Sequence, residues 1–104
     1  MSATEVIDKN IMAEAAGEAA ACLRALSNPS RLLLLCHLIE GEKNVGELEN
    51  VLGLGQAYVS QQLARLRGEG LVSARREGRI VHYSLADTRI KPIIEVLYAQ
   101  YCRS

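Results

Sequence analysis

Between Leu52 and Gln56 the chain reads Gly53-Leu54-Gly55, and this tight break limits the fold more than any other feature. Before it, "VGELENVL" has the length and pattern of a short helix over about residues 45–52, stopped by Gly53. After it, Val59, Leu63 and Leu66 recur at steps of four and three, the apolar stripe of a second helix from about Gln56 to Arg67. "GEG" ends that helix. Two helices joined by a short Gly-containing turn describe a helix-turn-helix. Gln56, Tyr58, Gln61, Gln62 and Arg65 lie mostly off the apolar stripe, so the outer face is rich in Gln and poor in carboxylates. A Gln side chain offers a paired donor and acceptor, the pattern that reads a base edge in the major groove.

"LVSARREGRIVHYSLA" then switches to a period of two, with Val81, Tyr83 and Leu85 alternating with Ile80, His82 and Ser84. Glu77-Gly78 sits between two strand-like runs, as the tip of a hairpin does. Arg75, Arg76 and Arg79 cluster around it. Arginines on a hairpin also fit a solvated tip, and a helical pair alone fits many folds. Their order and the charge distribution favour nucleic acid. Residues 56–84 carry five Arg against two Glu, whereas residues 1–55 carry four Lys or Arg against eight Asp or Glu. The whole chain has a formal net charge of zero, which leaves room for one basic face and not for a generally polyanion-binding protein.

The flanking segments complete a mainly α chain with one β-hairpin, in the order α-α-α-α-β-β-α, and residues 1–104 read as a single domain. From about Asn10 to Leu26 the chain is Ala-rich, with Met12, Ala16, Ala19, Leu23 and Leu26 in a stripe. Asn28 is suited to cap the next helix and Pro29 to its first position. "RLLLLCHLI" is apolar almost all round and is expected at the centre of the core, with the helix stopped at Gly41. The last helix is expected from about Thr88 to Tyr101, with Ile90, Ile94, Leu97 and Tyr101 in line. With the Ala-rich first helix it suits a dimer interface. No apolar run approaches the roughly 20 residues needed to span a bilayer. The acidic first 20 residues lack the pattern of a signal peptide, so a cytoplasmic protein is expected.

Three cysteines, an odd number, fit poorly with a structural disulfide framework. Cys22 and Cys36 both read as small apolar filler on their helices. Cys36 and His37 are adjacent and point about 100° apart, so they form no nucleophile–base dyad. Cys102 is less easily explained, because chain ends seldom need a thiol for packing. There is no cofactor motif, no C-x-x-C pair and no other catalytic constellation, so a thiol redox enzyme without a DNA role is disfavoured.

Taken in order, "LRALSNPSRLLLLCHL", "VGELENVLGLGQAYVSQQLARLRGEGLV" and "RREGRIVHYSL" resemble the ArsR/SmtB family of bacterial winged-helix repressors, over about residues 23–102. The resemblance implies a homodimer on double-stranded operator DNA, released by an inducer. Carried onto this chain, the recognition helix would use Gln56, Ala57, Tyr58, Ser60, Gln61 and Arg65. The wing would use Arg76, Arg79 and His82. Gly55 stands where the family commonly has Ser, a small loss in capping.

The family's metal sites do not transfer. One branch needs Cys near Val45-Gly46, where this chain has "NVGEL". Another needs Asp-x-His on the last helix with a later His and carboxylate; here Asp87 precedes Arg89, and Gln100 and Arg103 stand in the later places. The spacing of Cys36 and Cys102 is similar to that of the sulfide- and persulfide-responsive branch, in which two such thiols are oxidised together. The resemblance thus implies redox sensing by Cys36 and Cys102, through a disulfide or a longer sulfur bridge formed with persulfide or polysulfide. A thiol-based metalloid or metal sensor, with Cys22 as a further ligand, is the alternative.

Overall fold

A computed structural model describes residues 6–102; residues 1–5, and residues 103–104, which include Arg103, lie outside the described part. Helix α1 spans Lys9–Leu26, with the Asp8 carboxylate accepting hydrogen bonds from the N–H groups of Asn10 and Ile11. Helix α2 spans Pro29–Ile39, and Asn28 caps it by accepting from the N–H groups of Ser30 and Arg31. A two-residue strand β1, Lys43–Asn44, leads directly into α3, Val45–Leu52. There Asn44 and Glu47 make a reciprocal capping box, each side chain accepting from the other's backbone N–H at 2.9 Å. Gly53 ends α3 at φ 66°, a conformation that costs glycine little. Helix α4 spans Gln56–Gly68, followed by the hairpin β2 (Val72–Glu77) and β3 (Ile80–Leu85), then α5, Ile90–Tyr101.

The helix-turn-helix is therefore α3 and α4, and the wing is β2 and β3. The element order expected from sequence is present, with one strand added. The sheet has three antiparallel strands in the order β1-β3-β2, with Lys43 opposite Tyr83 and Asn44 opposite His82. A two-residue strand has no alternation to detect; it exists because β3 offers it a ladder. The hairpin tip is Gly78-Arg79, not Glu77-Gly78, since Glu77 still pairs with Ile80. Only Gly78, at φ 63°, takes a positive φ there, the pattern of a two-residue turn with glycine first. Helix α5 starts two residues later than expected. The Asp87 carboxylate accepts from the Arg89 backbone N–H at 3.0 Å and from its guanidinium at 2.9 and 2.8 Å, which holds the chain in a turn.

The core gathers Leu34, Leu35 and Leu38 from α2, Leu48 from α3, Val59, Leu63 and Leu66 from α4, and Ile90 and Ile94 from α5. Helix α2 is central as expected, although Leu33 remains 49% exposed. Helix α1 buries Ala25 and Leu26 in this core, with Cys22 packed against it; Met12 and Leu23 of its expected stripe are exposed. Gln62, expected on the outer face of α4, is instead 5% exposed. Arg31 explains how. Its guanidinium donates to the carbonyls of Ala25 (2.9 Å) and Arg24 (3.1 Å) at the end of α1, and to Gln62 Oε1 at 3.4 Å. One side chain thus caps α1 from α2 and satisfies a buried amide on α4. The Arg31→Met substitution is expected to cost about 1–3 kcal/mol in urea unfolding at fixed protomer concentration. Gln62→Leu is then expected to cost less in the Arg31→Met background than alone, because the buried amide has already lost its partner.

Candidate nucleic-acid interface and thiol pair

Helix α4 buries Val59, Gln62, Leu63 and Leu66 and turns the rest outward. Gln56, Ala57, Tyr58, Gln61 and Arg65 are exposed, while Ser60 is half-buried. Ala57, Gln61 and Arg65 follow at steps of four, so they share one line along the helix. Gly55 supplies no side-chain cap, which leaves the first N–H groups of α4 open to an anion. Such a surface can enter a major groove and read it through amides, with Arg65 near the far end.

The wing has two unlike faces. Val72, Ala74 and Arg76 of β2 stand opposite Leu85, Tyr83 and Val81; Ser73, Arg75 and Glu77 stand opposite Ser84, His82 and Ile80. The arginines at the tip are accordingly divided. Arg75 is held by Glu42 at 2.6 and 3.2 Å and by Glu77 at 3.1 Å. These bonds raise its already high pKa and hold the Glu42 carboxyl below its ordinary value. Arg76 and Arg79 are exposed and lie in no ion pair among the described residues. They can meet phosphates. His82 has a side chain only 19% exposed, with Nδ1 4.0 Å from Glu42 and Nε2 3.9 Å from Glu77. Sequence periodicity places His82 and Glu77 on the wing but gives no sign of Glu42, which is 33 residues from Arg75.

The three thiols are free and divide into two neighbourhoods. Cys22 lies on α1 beside a cleft of about 720 Å³ that Asp87 and Arg89 also line. Burial raises its thiol pKa, the Asp87 charge raises it further, and Arg89 opposes. Cys36, on α2, is half-buried and packs on the core; Cys102 is the exposed C-cap of α5. Burial pushes the Cys36 thiol up, and so does negative charge on Cys102. Cys36 therefore lies within electrostatic reach of Cys102 inside one chain. Among the described residues, no group of three or more His, Cys, Asp and Glu side chains is placed to hold a metal ion.

A short helix-turn-helix, a glutamine-bearing recognition surface and a basic β-hairpin define a winged-helix DNA-binding transcriptional regulator, not an enzyme. Residues 28–74 match the family model of bacterial regulatory proteins of the arsR family. The chain is 43% identical over 91 residues to the biofilm growth-associated repressor of Xylella fastidiosa, covering 88% of this chain and 80% of that protein. It is 42% identical over 93 residues to the transcriptional activator HlyU of Vibrio cholerae, covering 89% and 86%. The crystal structure of the repressor BigR from Xylella fastidiosa superposes with a TM-score of 0.89 at 40% identity, over 94% of this chain and all of that one. The chain belongs to the ArsR family, in the branch of BigR and HlyU.

Exposure orders the thiols. Iodoacetamide is expected to label Cys102 first. Cys36 should follow slowly and accelerate only as pH rises beyond the ordinary thiol range, because its thiolate is disfavoured in the fold. Peptide mapping after timed labelling checks this; Cys36 labelled before Cys102 at neutral pH would contradict it.

Proposed function

We propose that this chain is a homodimeric repressor of double-stranded operator DNA that lets go when Cys36 and Cys102 are bridged by reactive sulfur. What supports the reading is the placement of a half-buried thiol on α2 and an exposed thiol at the end of α5, with the charge of Cys102 felt at Cys36. The names of two similar proteins, a biofilm growth-associated repressor and BigR, are those of repressors.

Gln56, Ala57, Tyr58, Ser60, Gln61 and Arg65 enter the major groove, and Arg76 and Arg79 neutralise phosphates, with His82 behind them in the wing. The exposed apolar side chains of α1 and α5, among them Met12, Leu23, Val96 and Tyr98, pack against a second copy. Among the described residues no helix is long and apolar enough to cross a membrane. The site of action is the cytoplasm, where DNA and reduced thiols coexist.

The sensing chemistry begins at the accessible sulfur. The Cys102 thiolate attacks the terminal sulfur of a persulfide R–S–SH, giving Cys102–S–SH and releasing R–S⁻. The Cys36 thiolate then attacks the Cys102 sulfur and expels HS⁻, leaving a disulfide. The two thiolates have lost two electrons and the persulfide has gained them. A direct disulfide needs Cα atoms about 4.4–6.8 Å apart, and extra sulfur atoms relax that demand. The bridge ties the ends of two helices together and need bias the dimer by only about 1–3 kcal/mol against the DNA-competent state.

Gel shift is the deciding measurement. The reduced wild-type chain is expected to retard operator DNA and to release it on polysulfide treatment. The Cys36→Ser/Cys102→Ser variant should bind and stay bound. If that variant is also released, the switch lies elsewhere. Intact mass separates the alternatives, because a bridged protein loses two hydrogens or gains sulfur, whereas a metalloid sensor gains the metalloid.

A further inference from the structure

Two carboxylates, one on a hairpin that approaches DNA and one packed beside it, need an explanation, because phosphates repel them. Glu42 lies between α2 and β1, and Glu77 ends β2. Both are spent on one guanidinium. Glu42 grips Arg75 at two points, Oε1 to Nη2 at 2.6 Å and Oε2 to Nε at 3.2 Å, and Glu77 takes Nη1 at 3.1 Å. A two-point carboxylate–guanidinium pair fixes direction as well as distance. His82 fills the space behind, directly across the ladder from Arg75, with its Nε2 buried and without a hydrogen-bond partner. The four side chains come from the loop after α2, from β2 and from β3. They form a clasp between the body of the domain and the outer face of the wing. Arg76 and Arg79 stand apart from it.

We infer that Glu42 is a positioning residue for DNA binding: through Arg75 it sets the angle at which the wing presents Arg76 and Arg79 to phosphates. Arg75 itself is held away from phosphates, because each of its three nitrogens already donates to a carboxylate. This inference rests on the DNA-binding reading above and adds a division of labour among three neighbouring arginines. The family resemblance leaves Arg75 out of the wing contacts without giving it a role, and no single-residue property of the sequence supplies one.

The test separates positioning from contact by salt dependence. Each phosphate contact contributes about 0.9 to the slope of log K against log salt, so losing one changes the slope and misplacing one need not. The probe is a fluorescent duplex of roughly 30 base pairs, long enough for two half-sites a helical turn apart, selected by the wild-type chain from a randomised pool. Anisotropy titrations at several salt concentrations give affinity and slope, and thermal melts confirm the fold. Glu42→Gln and Arg75→Gln are each expected to weaken binding about threefold to fivefold with the slope unchanged. The double variant should be no weaker than either single one. Arg79→Gln should lower the slope by about one. Tighter binding by Glu42→Gln would mean that Glu42 restrains a cation which otherwise contacts DNA, and would overturn the inference. So would an unchanged affinity, or a slope reduced by Arg75→Gln. A wild-type chain that selects no duplex overturns the DNA reading, and this inference with it.

Discussion

The Arg31 side chain holds three helices in one arrangement. Its guanidinium reaches back to the last carbonyls of α1 and across to the buried amide of Gln62 on α4. A helix C-terminus carries partial negative charge, so a cation there both satisfies orphan carbonyls and opposes the dipole. The same residue makes burial of Gln62 tolerable, since an unpaired amide in the core is costly. With Gln62 fixed inward, the rotation of α4 about its axis is fixed too. Gln56, Gln61 and Arg65 then point outward as a set. In the proposed function, what the protein can read thus depends on a bond made on the opposite side of α4.

Much of this was legible in the chain. The break at Gly53-Leu54-Gly55, the Asn28-Pro29 helix start and the period-two stretch after Leu71 place α2, α3, α4 and the wing within a residue or two of where they lie. Those signals are local, fixed by backbone conformation and side-chain alternation. The sequence also points to Cys36 and Cys102 through a family resemblance, and the structure adds that the charge on one reaches the other. Non-local relations escaped. Strand β1 is defined by its partner rather than by its own two residues. Gln62 looks outward by composition and is turned inward by Arg31, 31 positions earlier. The Glu42–Arg75 pair joins residues that no periodicity connects. Apolar stripes on α1 and α5 were visible as patterns, but a single protomer leaves their outer parts uncovered.

The proposed function keeps two kinds of chemistry apart, with nucleic-acid recognition on α4 and the wing tip and thiol chemistry on α2 and the end of α5. Between them lie Leu34, Leu35 and Leu38 of α2 and Leu63 and Leu66 of α4, all buried. Close packing lets small displacements of α2 pass to α4, because the core between them has no slack to absorb a shift. Cys22, on α1 beside the Asp87 and Arg89 turn that precedes α5, stands outside that line.

The strand order β1-β3-β2 has a consequence for solution behaviour. A hairpin that projects from its domain offers unpaired backbone edges to any other extended chain, and such edges seed aggregation. Here β3 is the inner strand. One outer strand is only two residues long, and the other carries Arg75, Arg76 and Glu77 in succession. Short length on one side and dense charge on the other keep the projecting ribbon from annealing to its neighbours, so a domain built to lie on a polymer does not become one.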